Sequence, residues 1–258
     1  MREGAHDVTE TPVPLDQMDR FAAATRDPKA PALRPADAAT LIIIDRRGSK
    51  PKVLMGKRHE GHKFMPGKFV FPGGRIEAGD RSMAAAGALH PRTEQALMAR
   101  VTRPSVLRSR ALALAAIRET FEETGLLLGT KDYGSPETVP TATTWAAFQE
   151  HGVFPDLEAL HFIGRAITPP KRVKRFDTRF FAVDRTAIAH EVEGAVGPDS
   201  ELVELTWVTI DKARALDLPP ITAVILSELE ARIAAGFGHE LPVPFFYQRR
   251  GKFVRELL

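Results

Sequence analysis

Cysteine is absent from the 258 residues of this chain. Its absence excludes disulfide bonds, thiol nucleophiles, and zinc or iron–sulfur sites ligated by cysteine. A chain without cysteine also fits a reducing compartment, and we expect a cytoplasmic protein.

Long hydrophobic runs are absent as well. The longest candidates, such as ATLIII at residues 39–44, have the length of a strand, whereas a membrane-spanning helix needs about 18 apolar residues. The first twenty residues contain acidic side chains and no apolar segment, unlike a secretory signal. We therefore expect a soluble protein with no membrane partner.

Several functional motifs are also missing. There is no Gly-x-Ser-x-Gly sequence, which excludes the nucleophile elbow of α/β-hydrolases, and the eight histidines show no metal-ligand spacing. The formal charge of +3 is small. No interleaving of aromatic and basic residues marks a surface for single-stranded nucleic acid, so we expect no nucleic-acid partner.

The residues that are present have the composition of an ordinary globular protein, with 43% hydrophobic and 27% charged residues. Strand and helix patterns follow one another without regular βαβ alternation, which favours an α+β fold with layers of helices around a mixed sheet. We expect an N-terminal extension over residues 1–36, with a short helix near Leu15–Thr25, and a main domain over residues 37–258. Within that domain we expect short helices over about 81–110 and a C-terminal helix and hairpin over 219–258.

The strongest helix pattern is LRSRALALAAIRETFEETG at residues 107–125. It consists of good helix formers and ends on a glycine, a natural left-handed cap. Residues three or four apart share a helical face, so Glu119 lies beside Glu122 and Glu123, where like charges repel. An exposed acidic face eased by Arg118 would explain this cluster. A hard divalent cation, Mg²⁺ or Mn²⁺, would explain it too, because such ions prefer oxygen ligands.

A second stretch, FPGGRIEAGD at residues 71–80, favours the cation. The two stretches together resemble the motif of the Nudix hydrolases, Gly-x5-Glu-x7-Arg-Glu-U-x-Glu-Glu-x-Gly-U, where U is a bulky apolar residue. Gly74 matches the first glycine, Asp80 replaces the first glutamate, and Thr120 stands where an apolar residue is usual. Residues 81–117 occupy the place of seven residues in the family, so we expect an insertion of about 30 residues to loop out and leave both halves paired in space. The second half of the motif matches at Arg118, Glu119, Glu122, Glu123, Gly125 and Leu126.

The resemblance implies a Nudix fold, an α/β/α sandwich around a mixed sheet with a helical insertion. It also implies a metal-dependent hydrolase that cleaves a diphosphate linking a nucleoside to another group, because a metal neutralises the diphosphate and activates water. The implied ligands of Mg²⁺ or Mn²⁺ are Gly74, through its carbonyl, and Glu119, Glu122 and Glu123. The implied catalytic residues are Glu119, Glu123, Glu201 and Arg118. Arg118 would orient a glutamate, and Glu119 is the first candidate for the general base, with Glu201 or Glu204 the second.

A further resemblance concerns the substrate. The stretch VLMGKRHEGHKFMPGKFVFPGG at residues 53–74 is similar to the signature of coenzyme A diphosphatases. It matches at Leu54, Arg58, Gly67, Phe71, Pro72, Gly73 and Gly74, departs at Met55, Gly56, His59 and Glu60, and has Lys63 in place of an arginine. The insertion and ITPPKRVKRFDTRFF at residues 167–181 resemble the peroxisomal coenzyme A diphosphatases and their bacterial relatives. The resemblance implies coenzyme A or acyl-CoA as substrate, bound by Arg58, Lys63, Gly73 and Arg175.

Two other functions remain open. One is hydrolysis of ADP-ribose, NADH or a nucleotide sugar. The other is a Nudix-fold binding protein without turnover, which the presence of all three glutamates in the second half of the motif disfavours. The insertion could line the acyl end of the substrate, support a homodimer or simply add a helical lobe.

Overall fold

The structure is a computed structural model, and it describes residues 15–62, 65–140 and 144–258. Its α-helices are α1 (Leu15–Ala24), α2 (Pro91–Met98), α3 (Val106–Thr124), α4 (Trp145–Glu150), α5 (Ile210–Arg214) and α6 (Pro220–Ala234). Its strands are β1 (Ala36–Asp45), β2 (Lys52–Arg58), β3 (Phe69–Val70), β4 (Gly73–Arg75), β5 (Leu126–Leu128), β6 (His161–Ile167), β7 (Phe176–Asp184), β8 (Ile188–Glu191), β9 (Leu202–Thr209), β10 (Pro244–Arg249) and β11 (Lys252–Leu257). None of the helices in these ranges is long and apolar enough to cross a membrane.

A mixed nine-stranded sheet forms the centre of the described structure. Its order is β11-β10-β6-β7-β1-β2-β3, with β4 also pairing with β1 and β9 with β2. The β1–β7 and β6–β10 pairs are parallel and the others are antiparallel. β5 and β8 form a separate two-stranded sheet. β1 and β2 form an antiparallel hairpin, and the predicted C-terminal hairpin β10–β11 is present.

Two hydrophobic cores lie on opposite faces of the sheet. Successive side chains of a strand point to opposite faces; accordingly Leu41 and Ile43 of β1 belong to the core beneath α3, whereas Ile42 and Ile44 belong to the core beneath α6. Both faces are therefore covered by helices, and the predicted α/β/α sandwich is confirmed.

The insertion loops out between the two halves of the motif, as predicted. Asp80 accepts hydrogen bonds from Arg118 Nε at 2.8 Å and Nη2 at 3.2 Å, across 38 positions of the sequence. Just after α2, within the insertion, the carbonyls of Ala99 and Arg100 accept hydrogen bonds from Arg165 of β6. A buried contact therefore joins the two ends of the insertion, and its middle is attached to the sheet.

The insertion contains the short helix α2, and Pro91 is its first residue, where its missing N–H costs no hydrogen bond. The long helix α3 begins at Val106, one residue before the predicted start at Leu107, so residues 106–110 belong to α3 and not to the short helices expected over about 81–110. Ser105 sets this boundary as N-cap, because its hydroxyl accepts a hydrogen bond from the Arg108 N–H.

The predicted helix in the N-terminal extension is also present. Met18 and Ala22 of α1 are buried, and the backbone N–H of Phe253 donates to Asp19 Oδ1 at 2.7 Å. The helix therefore packs against the C-terminal hairpin.

Candidate active site

Gly73 and Gly74 begin strand β4. They pair with Thr40 and Ala39 of β1. A Cβ atom at Gly73 would lie 2.5 Å from the carbonyl oxygen of Ala39, and one at Gly74 would lie 2.3 Å from Glu119 Oε1. Real Cβ atoms essentially never come within 3.0 Å of a non-bonded heavy atom, so a side chain at Gly73 would displace the backbone of β1, and one at Gly74 would displace the Glu119 carboxylate.

Glu119 and Glu123 of α3 face the glycine strand. Burial raises the pKa of Glu119 to about 7, and the neighbouring carboxylates of Glu122 and Glu201 raise it too, against the opposing charge of Arg118. Burial also raises the pKa of Glu123 well above its usual range, and the charges of Glu201 and Glu119 add to this effect. Glu123 Oε2 is buried without a hydrogen-bond partner. The negative charge of Glu119 and Glu123 is therefore only partly balanced by the cationic side chains near them.

Arg118 lies at the centre of the site and is buried. Besides Asp80, it donates to Glu122 Oε2 and to the carbonyl of Arg75, both at 2.8 Å, and its Nη1 lies 3.0 Å from Glu119 Oε1. Burial alone would lower the pKa of Arg118, but the hydrogen bonds to Asp80 and the nearby acidic charges raise it, so the guanidinium stays charged. These contacts suit the expected role of orienting glutamates.

Glu122 lies at the outer edge of the three glutamates, where it shares Arg118 with Glu119. The hydroxyl of Thr144 donates to Glu122 Oε1, while Arg118 binds Oε2. Across residues 15–62, 65–140 and 144–258, no group of three or more His, Asp or Glu side chains is arranged to hold a metal ion. The structure therefore brings Glu119 and Glu123 together and leaves Glu122 at the solvent edge, one third exposed.

Glu201 immediately precedes β9, opposite the end of β2, and lies near Glu119 and Glu123. Arg58 Nη2 donates to Glu201 Oε1 at 2.8 Å and lies 3.1 Å from His62 Nδ1. The charge of Glu201 raises the pKa of both Glu119 and Glu123. This residue, a catalytic candidate from the sequence, therefore lies beside the glutamates of the motif. Arg58, expected to bind substrate, is already engaged by Glu201, although its buried Nε has no partner.

Comparison with known proteins decides the family. The family model of the NUDT19 Nudix domain matches residues 30–216, well over half of the chain. The chain belongs to the Nudix hydrolases. It is accordingly a hydrolase that acts on pyrophosphate bonds of nucleoside diphosphate derivatives, as the sequence predicted.

Several solved structures are similar to this chain. A NUDIX hydrolase from Alicyclobacillus acidocaldarius is 28% identical over 76% of this chain and 91% of that chain, with a TM-score of 0.58. The Nudix hydrolase RenU from M. smegmatis is 16% identical over 82% of this chain and 95% of its own, with a TM-score of 0.41. The NUDIX domain of Shewanella oneidensis NrtR, solved with ADP ribose, is 13% identical over 83% and 97%, with a TM-score of 0.42.

Nudix hydrolases generally use divalent metals such as Mg²⁺ or Mn²⁺, and the residues of this Nudix site fit such an ion. The donors at the site are oxygen atoms only, which hard cations prefer. One of them, Glu123 Oε2, is buried and unpartnered, and the two carboxylates repel each other. Glu119 and Glu123 would therefore hold the ion, which would relieve that repulsion.

Three other residues that the sequence indicated as candidates for substrate binding or catalysis are not seen beside Glu119 and Glu123. Arg175, at the start of β7, donates to the carbonyls of Leu33 at 2.6 Å and Thr168 at 3.1 Å, so its hydrogen bonds within the described residues secure the backbone there. Glu204 lies opposite Lys57 in the β2–β9 ladder. Lys63 lies outside the described residues.

Two contacts in the Nudix site were not foreseen from the sequence. Asp80 was noted only as a substitute for the first glutamate of the motif, and its role as the buried partner of Arg118 could have been inferred from that position. Thr144 follows Glu122 by 22 positions and carries no motif that would have revealed its hydrogen bond to that glutamate.

Proposed function

We propose that this Nudix hydrolase cleaves the diphosphate of coenzyme A or acyl-CoA, releasing 3′,5′-ADP and 4′-phosphopantetheine, with Mg²⁺ or Mn²⁺ as cofactor. The signature at residues 53–74 supports this substrate, and the matching NUDT19 domain is consistent with it. The single observation that carries the hydrolytic assignment is the buried pair Glu119 and Glu123 against the glycines of β4.

The residues around this pair suggest how the work is divided. A bound cation would neutralise the diphosphate and lower the pKa of the attacking water. Glu119 and Glu123 would hold the cation together with Glu122, the third glutamate that the motif implies as a ligand, and Arg118 fixes the orientation of Glu119 and Glu122. Water adds to one phosphorus atom, the bond from that atom to the bridging oxygen breaks, and the base takes the proton of the water.

Two glutamates are candidates for that base. Glu119 is the first candidate from the motif. Glu201 is more exposed, with 43% of its side chain accessible, and its hydrogen bond to Arg58 holds it beside the glutamates of the motif. Both features favour Glu201 as the group that takes a proton from water. We expect Glu201→Gln to lower kcat by about 10²- to 10⁴-fold without changing the Mg²⁺ concentration needed for half activity. Glu119→Gln should change both quantities. The reverse pattern would assign the base to Glu119.

The substrate is tested with a panel that contains coenzyme A, acetyl-CoA, ADP-ribose, NADH and a nucleotide sugar, each with Mg²⁺ or Mn²⁺. Mass spectrometry of the products should find 3′,5′-ADP and 4′-phosphopantetheine at the highest rate. Faster cleavage of ADP-ribose, NADH or the sugar would replace the coenzyme A assignment. No turnover of any member would favour a Nudix-fold binding protein.

The same assay tests the carboxylates. Glu122→Gln and Glu123→Gln should each lose several kcal/mol of transition-state stabilisation, which is more than about 100-fold in rate. Glu191→Gln, an exposed acid on β8, serves as the matched control. Full activity of both Glu122→Gln and Glu123→Gln would contradict the catalytic assignment.

A further inference from the structure

An open groove of about 520 Å³ lies on the solvent side of Glu122. Apolar side chains form much of its lining, namely Phe121, Ala147, Val192 and Ala195. Its polar part consists of two carboxylates, Glu122 and Glu193, and the hydroxyl of Thr144, and no lysine, arginine or histidine is among the described residues that line it. The groove therefore combines an apolar surface with negative charge.

One wall of the groove is fixed to α3 through α4. The ring of Phe121 packs edge-on against Phe148 with centroids 5.8 Å apart. Thr144, immediately before α4, donates its hydroxyl hydrogen bond to Glu122. This wall is consequently joined both to the core and to a residue of the motif.

The opposite wall is fixed to the end of α3. Gly125 has a left-handed conformation, with φ 77°, and its carbonyl accepts a hydrogen bond from the Val192 N–H at 2.9 Å. A Cβ atom at Gly125 would lie 2.4 Å from the Val192 carbonyl oxygen and 2.8 Å from Ala195 Cβ. The glycine of the motif therefore permits the close approach that forms this wall.

We propose that this groove binds the uncharged arm of the substrate, the group on the far side of the diphosphate from the nucleoside. This inference rests on the proposed function. Glu122 belongs to both the motif and the groove, so an arm that leaves a diphosphate held at Glu119 and Glu123 enters the groove directly. Glu122 and Glu193 repel phosphate, which places the adenosine 3′-phosphate elsewhere and selects the amide-containing pantetheine arm.

The groove is tested by filling it. Ala147→Phe occupies the space in the groove, whereas Ala146→Phe adds the same ring to the exposed side of α4. The substrates are coenzyme A and a short-arm analogue in which a methyl ester replaces pantetheine on the diphosphate. We expect Ala147→Phe to raise KM for coenzyme A about tenfold with kcat nearly unchanged, and to leave the short-arm analogue unaffected. Ala146→Phe should change neither substrate.

A measurement without turnover gives a second readout. Calorimetric titration should show weaker binding of 4′-phosphopantetheine to Ala147→Phe than to the unmodified protein, and unchanged binding of 3′,5′-ADP. Equal effects on both ligands, or none on either, would overturn the groove assignment.

A charge reversal covers the case in which the larger ring prevents folding. Glu193→Lys, at an exposed position, should favour a substrate whose arm ends in phosphate, such as ADP-ribose 1″-phosphate, by several-fold in KM. Glu191→Lys, two positions earlier in the chain, should have no such effect. Indifference of KM to both reversals would also overturn the assignment.

Failure of the groove and failure of the proposed function give different results. If the unmodified protein hydrolyses another nucleoside diphosphate derivative but not coenzyme A, the coenzyme A proposal is overturned. The Ala147→Phe comparison is then made with that substrate and its own methyl ester, and selective loss for the longer arm still supports the groove.

Discussion

Arg118 and Asp80 form a buried ion pair between the two halves of the interrupted Nudix motif, with Nε and Oδ1 2.8 Å apart. The aspartate is fully buried and the arginine side chain is only 2% exposed. The remaining donors of the guanidinium reach Glu122 and the Arg75 carbonyl. One contact therefore closes the motif and orients its carboxylates at the same time.

Removal of the aspartate should destabilise the fold. Asp80→Ala leaves the buried guanidinium without its main counter-ion, and breaking such a pair costs about 3–5 kcal/mol. Urea denaturation measures the free energy of unfolding. Arg81→Ala, at the exposed neighbouring position, should change it by less than about 0.5 kcal/mol. A similar small loss in Asp80→Ala would show that the pair contributes little.

Gly125 and Gly134 allow the conformational cost of a side chain at a left-handed position to be separated from the cost of its steric contacts. Both have left-handed conformations, with φ 77° and 72°, but a Cβ atom at Gly134 meets nothing within 4 Å. Gly134→Ala should cost only the conformational penalty, about 1–2 kcal/mol. Gly125→Ala should cost more, because its Cβ also meets Val192 and Ala195. Equal losses in thermal denaturation would mean that the 192–195 segment moves away without cost.

The pair of Arg58 and Glu201 should behave as a coupled unit in catalysis. Since Arg58 already binds Glu201 at 2.8 Å, Arg58→Gln should lower kcat more than it raises KM. We expect Arg58→Gln and Glu201→Gln to be less than additive in a double-mutant cycle of kcat, by about 0.5–3 kcal/mol. Strict additivity, together with a rise in KM alone, would assign Arg58 to substrate binding.

Histidine stacking should make the stability depend on pH. His161 lies between Phe237 and His239, with the two imidazole centroids 3.9 Å apart, and His90 stacks on the far side of His239. Burial lowers the pKa of His161 to about 3, and the charges of His239, Arg232, Arg46 and His90 contribute to the lowering.

The sign of this dependence follows from proton uptake. An unfolded histidine has a pKa near 6.5, so below about pH 6.5 the unfolded chain binds a proton that the native His161 does not. The free energy of unfolding should therefore fall as the pH drops from about 6.5 toward 3. His161→Gln should reduce this dependence, as measured by thermal denaturation at pH 7.5 and pH 5.0. An unchanged difference between the two pH values would exclude His161 as the source.

The features predicted from the sequence are those written in local patterns. Helix α3 followed from helix formers ending at Gly125, and its predicted start at Leu107 lies one residue after the observed start at Val106, which the Ser105 cap sets. The C-terminal hairpin was also predicted. The short strand β5 consists of three leucines, a composition that does not distinguish a strand from a helix.

Contacts between distant segments could not be predicted in this way. Thr144 meets Glu122 because α4 packs on α3, and His90, His161 and His239 meet because three separate elements converge. Such meetings depend on tertiary packing, which no spacing in the sequence encodes. The motif had a stronger signal, because its residue types and order were preserved on either side of the insertion.

The looped-out insertion means that the Nudix motif of this protein is defined in three dimensions rather than along the chain. Asp80 and Arg118 are in contact in the core although 37 residues separate them along the chain. The catalytic geometry therefore depends on that contact and not on the seven-residue separation of the usual motif, so the chain between Asp80 and Arg118 can contribute surface of its own.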